Sequence, residues 1–371
     1  MNPTPAPAPP VDPAATAAHV PWAIRTEGLR KVYPRAQDGL VAVEGLDLTV
    51  RQGEFFGLLG TNGAGKSTTI GMLTTLIATS AGKAWVAGRE VSADPVGVKS
   101  RIGVVSQANT LDRGLTVADN LVFRGRYFGM SAVAARRRAL ELLERFGVAD
   151  KTDAKTHQLS GGQARRVMIG RALMHLPEVL FLDEPTAGVD PQARDDLWRT
   201  IASLHETGQT VVLTTHYLDE AEALCERLAV IDHGHLLTCD TPEAIKASSG
   251  AQTVITVRYD ADATPAADAF HSIPGGPHDL AVDGPTVRVR TTRPDGVLGH
   301  LLRAGSAAGL TGRDAATTPP SLQTAFLTLS QVPDTSQRDT GFGERADLDQ
   351  IDGVVRAVLP GDRRGVPAGA A

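Results

Sequence analysis

Phe55-Phe56-Gly57-Leu58-Leu59-Gly60-Thr61-Asn62-Gly63-Ala64-Gly65-Lys66-Ser67 decides how the rest of this chain is read. Phe55–Leu59 is an uncharged run with the length and character of a buried strand. Gly60 to Lys66 is a glycine-rich loop, and from Ser67 a helix is expected to about Leu76. A strand, a G-x-x-x-x-G-K-[ST] loop and a helix in that order make a phosphate-binding loop. Gly60, Asn62, Gly63, Ala64 and Gly65 let backbone N–H groups close on phosphate oxygens, and the helix N-terminus adds partial positive charge. Lys66 is placed to reach the β- and γ-phosphates and the Ser67 hydroxyl to ligate Mg²⁺, with Thr68 beside them. A glycine-rich turn with an incidental lysine requires neither flanking element.

Upstream, Ile24–Leu29 and Leu46–Val50 alternate like strands. Downstream, strands are predicted at Lys83–Val86, Ile102–Val105, Val179–Leu182, Thr210–Leu213 and Leu228–Ile231. The run Val179–Leu182 ends in Asp183-Glu184. At the C-terminal edge of a parallel sheet such residues face the ligand crevice. Asp183 is then placed to hold Mg²⁺ directly or through water, and Glu184 to polarise a water for in-line attack on the γ-phosphate. Alone, an apolar run before Asp-Glu is an ordinary strand end; downstream of a phosphate loop it becomes specific.

Leu159-Ser160-Gly161-Gly162-Gln163 opens a helix over Ala164–Leu173 and makes a second phosphate-binding helix N-terminus. One chain seldom needs two. A head-to-tail pair does, because Ser160 and Gly162 of each copy can close over the ATP held by the other's loop. Between Leu115 and Gln158 the period turns helical, with Leu140, Leu143 and Phe146 at three-residue spacing. This predicts a helical subdomain, about residues 107–165, inserted in an α/β domain. Arg136–Arg138 beside it reads as a solvated helix face.

The Walker A loop, the Leu159–Gln163 signature, the Walker B strand and Thr214-Thr215-His216 together resemble an ABC-transporter ATPase domain over about residues 24–245. The resemblance implies a P-loop NTPase fold, ATP and Mg²⁺ as ligands, a homodimer closed through the ATP sites and a separate integral membrane permease. It also implies residue roles. Gln107 corresponds to the glutamine that touches Mg²⁺ and senses the membrane partner, and Asp190 to the aspartate at the dimer seam. His216 corresponds to the switch histidine on the γ-phosphate, and Tyr33 to the aromatic ring that stacks on adenine; a strand-end aromatic is also often core. His216-Tyr217-Leu218-Asp219-Glu220-Ala221-Glu222, Ile231-Asp232-His233-Gly234, Thr241-Pro242-Glu243 and Ser321-Leu322-Gln323-Thr324-Ala325-Phe326-Leu327 are similar to the daunorubicin/doxorubicin-resistance exporter ATPases. Gln323 stands where that subgroup carries an acidic residue.

The remaining chain sets the boundaries. Residues 1–21 hold seven prolines and six alanines and read as a disordered arm. The ATPase domain is read over 22–250, a small α+β domain over 251–331, and a mostly disordered tail over 332–371. In the small domain Val254–Arg258 and Thr286–Arg290 alternate like strands, and Gly296–Arg303 and Leu322–Leu329 read as helices. Within the tail, Ile351, Val354, Val355, Val358 and Leu359 share a helical face that fits either a short docking helix or, given Gly353 and Pro360, a frayed turn.

Charged residues make up 21% of the chain and the net charge is -5, which gives no basic stripe for nucleic acid. Cys225, expected on a helix, and Cys239, expected in a loop, are too few for a disulfide scaffold and read as packing residues. No run approaches the roughly 18 apolar residues of a membrane span, and no apolar segment precedes Arg25 as in a signal peptide. A peripheral protein on the cytoplasmic face of the cell membrane is the expectation. Two other classes compete: an ABC protein acting on ribosomes or DNA, and a small-molecule kinase. The first usually has two cassettes or a long coiled coil, and the second leaves Leu159–Gln163 and His216 unexplained.

Overall fold

The computed structural model describes residues 22–34, 39–250, 252–271 and 279–330. The arm over 1–21 and the tail over 332–371, with its Ile351–Leu359 stripe, lie outside the described residues.

Trp22–Tyr33 (β1) pairs antiparallel with Leu40–Leu46 (β2) and Thr49–Arg51 (β3). The single strand expected over Leu46–Val50 is therefore two. The Thr26 hydroxyl separates them by donating to Leu46 O and accepting from Leu48 N, both at 2.8 Å. Phe55–Leu59 (β4) is buried throughout and leads through the glycine loop into Lys66–Leu73 (α1). That helix stops three residues short of Leu76. Thr75 takes φ 63°, and Leu76 N and Ile77 N both bond back to Gly71 O, which leaves Leu76 exposed. Ala81–Val86 (β5) and Arg89–Glu90 (β6) return to the antiparallel sheet. Pro95–Arg101 (α2), capped by Asp94, precedes Ile102–Val105 (β7).

Three helices follow, each opened by a hydroxyl cap that accepts a first-turn N–H. They are Val117–Tyr127 (α3, cap Thr116), Ala132–Arg145 (α4, cap Ser131) and Gly161–Ala172 (α5, cap Ser160). The buried stripe of α4 is Ala135, Ala139, Leu142 and Leu143, continued by Phe146. Leu140, expected on it, is 41% exposed, because a 3.6-residue turn carries a strict three-residue repeat off the face. Arg136 pairs with Asp119 and Asp153, and Arg137 and Arg138 with Glu141, as a solvated face does.

Val179–Asp183 (β8), Pro191–Ala202 (α6), Thr210–Thr215 (β9), Leu218–Leu224 (α7), Arg227–Asp232 (β10), His235–Asp240 (β11) and Pro242–Ser248 (α8) complete the cassette. The central sheet runs β11-β10-β4-β9-β8-β7, with only β11 antiparallel. Its strands bury both faces. Phe55, Leu180 and Val211 enter one hydrophobic layer with the helical block, and Phe56, Phe181 and Val212 enter the layer under β1 and α1. Such two-sided burial is what parallel strands need. Cys225 caps the end of α7, and Cys239 lies in β11 rather than a loop; both are free thiols, the first buried.

Thr253–Tyr259 (β12), Ala267–Phe270 (α9), Asp279–Asp283 (β13), Thr286–Thr291 (β14), Val297–Ala307 (α10) and Gly312–Thr318 (β15) form a small α+β unit. Its antiparallel sheet runs β13-β14-β12-β15 over a separate core that includes Ile255, Val257, Phe270, Val289 and Leu301. Leu322–Ser330 (α11) follows but does not join that core. Leu322 and Ala325 are buried in the cassette's main hydrophobic layer, with Phe326 and Leu329 packed against it. The helix lies against α7 and α8.

Candidate functional site

The loop between β4 and α1 is shaped by its glycines. Gly65 has φ 103°, and a Cβ there would stand 2.4 Å from Ala42 O; a Cβ on Gly60 would stand 2.3 Å from Ile231 O. Only glycine fits such approaches. Thr61, Asn62 and Gly63 are exposed along the loop, and Ala64 is buried beneath it. Lys66 is 4% exposed, and its Nζ donates to Gly60 O and Thr61 O, each at 3.0 Å. Burial pushes its ammonium below the ordinary lysine value, against the pull of Glu184 and Asp183.

Asp183 ends β8 and Glu184 begins the turn after it, with a left-handed φ of 45°. A non-glycine residue held there is strained, and such strain gathers at functional sites. Asp183 Oδ1 accepts from Thr214 Oγ at 2.6 Å and from Ser67 Oγ at 3.2 Å. Burial pushes the Asp183 carboxyl up; the Thr214 hydroxyl pulls it down and neighbouring Glu184 adds to the rise. Glu184 Oε2 accepts from Gln107 Nε2 at 3.3 Å. Its Oε1 lies 3.7 Å from Lys66 Nζ and 3.4 Å from His216 Nδ1, an atom that is buried without a hydrogen bond. Lys66, Ser67, Gln107, Asp183, Glu184 and His216 thus meet at one edge of the sheet. A hydroxyl and a carboxylate side by side are the hard oxygen donors that Mg²⁺ accepts, so the residues fit that ion.

The other predicted residues stand apart from this cluster. Ser160 caps α5, its Oγ accepting from Gln163 N at 3.3 Å while Gln163 Oε1 accepts from Ser160 N at 3.0 Å. Ser160 and Gly161 are exposed and Gly162 is buried. Among the described residues no hydrogen bond or ion pair joins this turn to the glycine loop. Asp190 is exposed and caps α6 through Ala193 N at 2.9 Å. Tyr33 is half-buried at the end of β1, with Lys31 Nζ 5.0 Å from its ring centre. Thr68 sits half-buried in the first turn of α1.

Two contributors escaped the sequence reading. Phe326 of α11 lines a cleft of about 250 Å³ together with Gly60, Thr61, Asn62 and His216. Arg165 of α5 is 6% exposed and donates to Ser106 O at 2.6 Å and Gln107 O at 2.9 Å. Arg165 shares a buried helix face with Met168, Ile169 and Ala172, a signal masked in the sequence by Arg166 beside it.

The profile described as ABC transporter matches residues 43–187. The daunorubicin/doxorubicin resistance ATP-binding protein DrrA of Streptomyces peucetius is 45% identical over 250 residues, 67% of this chain and 74% of that protein. The chain belongs to the ABC-transporter ATP-binding proteins. As an ABC ATPase it binds and hydrolyses ATP. The Nod factor export ATP-binding protein I of Burkholderia lata is 40% identical over 81% of this chain and 95% of its own length. The linearmycin resistance ATP-binding protein LnrL of Bacillus subtilis is 40% identical over 62% and 73%. The ABC cassette fold matches the ATP-binding cassette MJ0796, solved as a dimer in a post-hydrolysis state with ADP and Pi, at a TM-score of 0.55. That match has 27% identity over 59% of this chain and 98% of the other. Among the described residues of this ABC protein no helix is long and apolar enough to cross a membrane.

Proposed function

We propose that this chain is the ATP-hydrolysing half of an exporter for drug- or antibiotic-like compounds, acting at the cytoplasmic face of the cell membrane beneath a separate integral membrane permease. Two copies close head to tail over two ATP molecules, each offering Ser160, Gly161, Gly162 and Gln163 to its twin's nucleotide, with Asp190 at the seam. The names of the resistance and export relatives support the cargo class. Phe123, Tyr127 and Val133, 67%, 73% and 81% exposed on the helical block, support a partner that covers them.

The observation that carries the chemistry is the convergence on Glu184. Its carboxylate, steadied by Gln107, acts as general base toward water, and His216 meets the γ-phosphate from the other side. Lys66, desolvated at the end of the glycine loop, meets phosphate charge where solvent screening is weak. Ser67 and Asp183 hold Mg²⁺, which when bound supplies charge neutralisation of the phosphate oxygens. Tyr33 stacks on the base.

Glu184→Gln tests this. The variant should bind ATP, accumulate as a nucleotide-bound dimer by light scattering and lose at least about 10²-fold in turnover. Brisk hydrolysis would remove Glu184 from its role. Cells that regain sensitivity to anthracycline-like drugs when the gene is deleted would support the cargo class; unchanged sensitivity to all such compounds would count against it.

A further inference from the structure

We infer that Arg165 is a positioning residue that ties the helix offered to the twin's nucleotide, α5, to this chain's own Gln107, so that each ATP site senses the other. The inference rests on the head-to-tail pairing proposed above.

Arg165 lies on the second turn of α5, five residues beyond Ser160. Its two terminal nitrogens grip consecutive peptide carbonyls, Ser106 O and Gln107 O. Farther along the same helix Arg171 donates to Thr110 O at 2.6 Å and to the Thr110 hydroxyl. One helix therefore holds the 106–110 segment, between β7 and α3, by three carbonyls. The side chain of the gripped Gln107 reaches Glu184. The other end of α5 is Ser160, fixed to the first turn by its reciprocal bonds with Gln163.

The chemistry requires arginine. A buried guanidinium is unfavourable unless its donors are taken, and here Asp183 and Glu220 lie near enough to offset part of its burial. Its planar fork sets the angle between two peptide planes, which the point charge of lysine cannot do. Any shift of the Gln107 backbone is thus carried by a rigid helix to the serine that faces the second nucleotide. The helix dipole and the cap move with it as one body.

The test is ATP hydrolysis by the full chain, with Arg165→Gln and Arg165→Lys made alone and on a Gln107→Ala background. Thermal melts and nucleotide binding, the latter on a Glu184→Gln background, accompany each. Arg165→Gln should lower kcat roughly 10- to 100-fold while ATP affinity stays within about 3-fold. Its Hill coefficient for ATP should fall to about one from a wild-type value above it, and Arg165→Lys should recover part of both. On the Gln107→Ala background the same change should add less than about 3-fold, because the pathway is already cut. Multiplying effects, or a wild-type Hill coefficient of one, overturn the inference. If Arg165→Gln melts below the assay temperature, the Arg165→Lys cycle decides alone. Should Glu184→Gln form no nucleotide-bound dimer, the pairing itself is wrong; should it form one while the cycle shows no coupling, only the role of Arg165 is wrong.

Discussion

The Thr214 hydroxyl donates to Asp183 Oδ1 at 2.6 Å, and the Thr214 hydroxyl oxygen in turn accepts from the Glu184 backbone N–H at 3.0 Å. One side chain of β9 thereby holds the Asp183 carboxylate at the end of β8 and the backbone of Glu184 just beyond it. Thr214→Val keeps the shape and removes both bonds. A hydrogen bond to a charged group contributes about 1.5–3 kcal/mol, so kcat should fall by roughly 10-fold or more. Thr214→Ser should stay near wild type. Equal rates for Val and Ser in steady-state assays would show that the hydroxyl is idle.

His175 gives the protein an acid-side weakness. It stacks on Phe128 with ring centres 3.9 Å apart, and Nε2 lies 2.9 Å from Ile102 O. Burial, reinforced by the Arg124 charge and opposed by the bond to Ile102, pushes its pKa down to about 4. The unfolded chain then binds more protons between that value and the ordinary 6.5. Stability from this group is therefore full above about pH 6.5 and lost as the pH falls through about 4. The loss is up to roughly 2–3 kcal/mol, discounted for partial exposure. Urea midpoints of wild type and His175→Gln should converge on acidification to about pH 4.5. A constant gap between them would contradict the assignment.

Leu322 is 1% exposed, yet it belongs to the cassette's hydrophobic layer rather than to that of the small unit before it. Leu322→Ala should destabilise the cassette by about 2–5 kcal/mol. Because Phe326 lines the cleft beside Gly60 and His216, the same change should also shift the ATP concentration for half-maximal turnover. Leu302→Ala, at a site 39% exposed, should leave both unchanged. Calorimetry and an ATP titration on the pair decide it, and an undisturbed melting temperature for Leu322→Ala would refute the packing.

How much of this was legible beforehand follows from what local sequence encodes. Strand, glycine loop and helix around Lys66 were readable because burial, turn geometry and charge coincide within thirteen residues. The carboxylate pair was readable because Val179–Leu182 has no polar residue before Asp183. The break between β2 and β3 was not, since it depends on Thr26, a partner in another strand. Leu322–Leu329 showed an apolar stripe, which says that something must cover it but not what. Arg165 was hidden for a related reason: an arginine on a helix next to a second one, Arg166, reads as a solvated surface until its carbonyl partners are known.

The small unit leaves the cassette through α8 and the chain returns as α11, and these two helices touch. Topologically the unit is a bead on a loop whose neck is pinched shut, not a pendant hung from a single thread. One of the two helices of that neck carries Phe326 to the cleft beside Gly60 and His216. Swapping the bead for another module therefore calls for two well-matched seams, one at each helix of the neck.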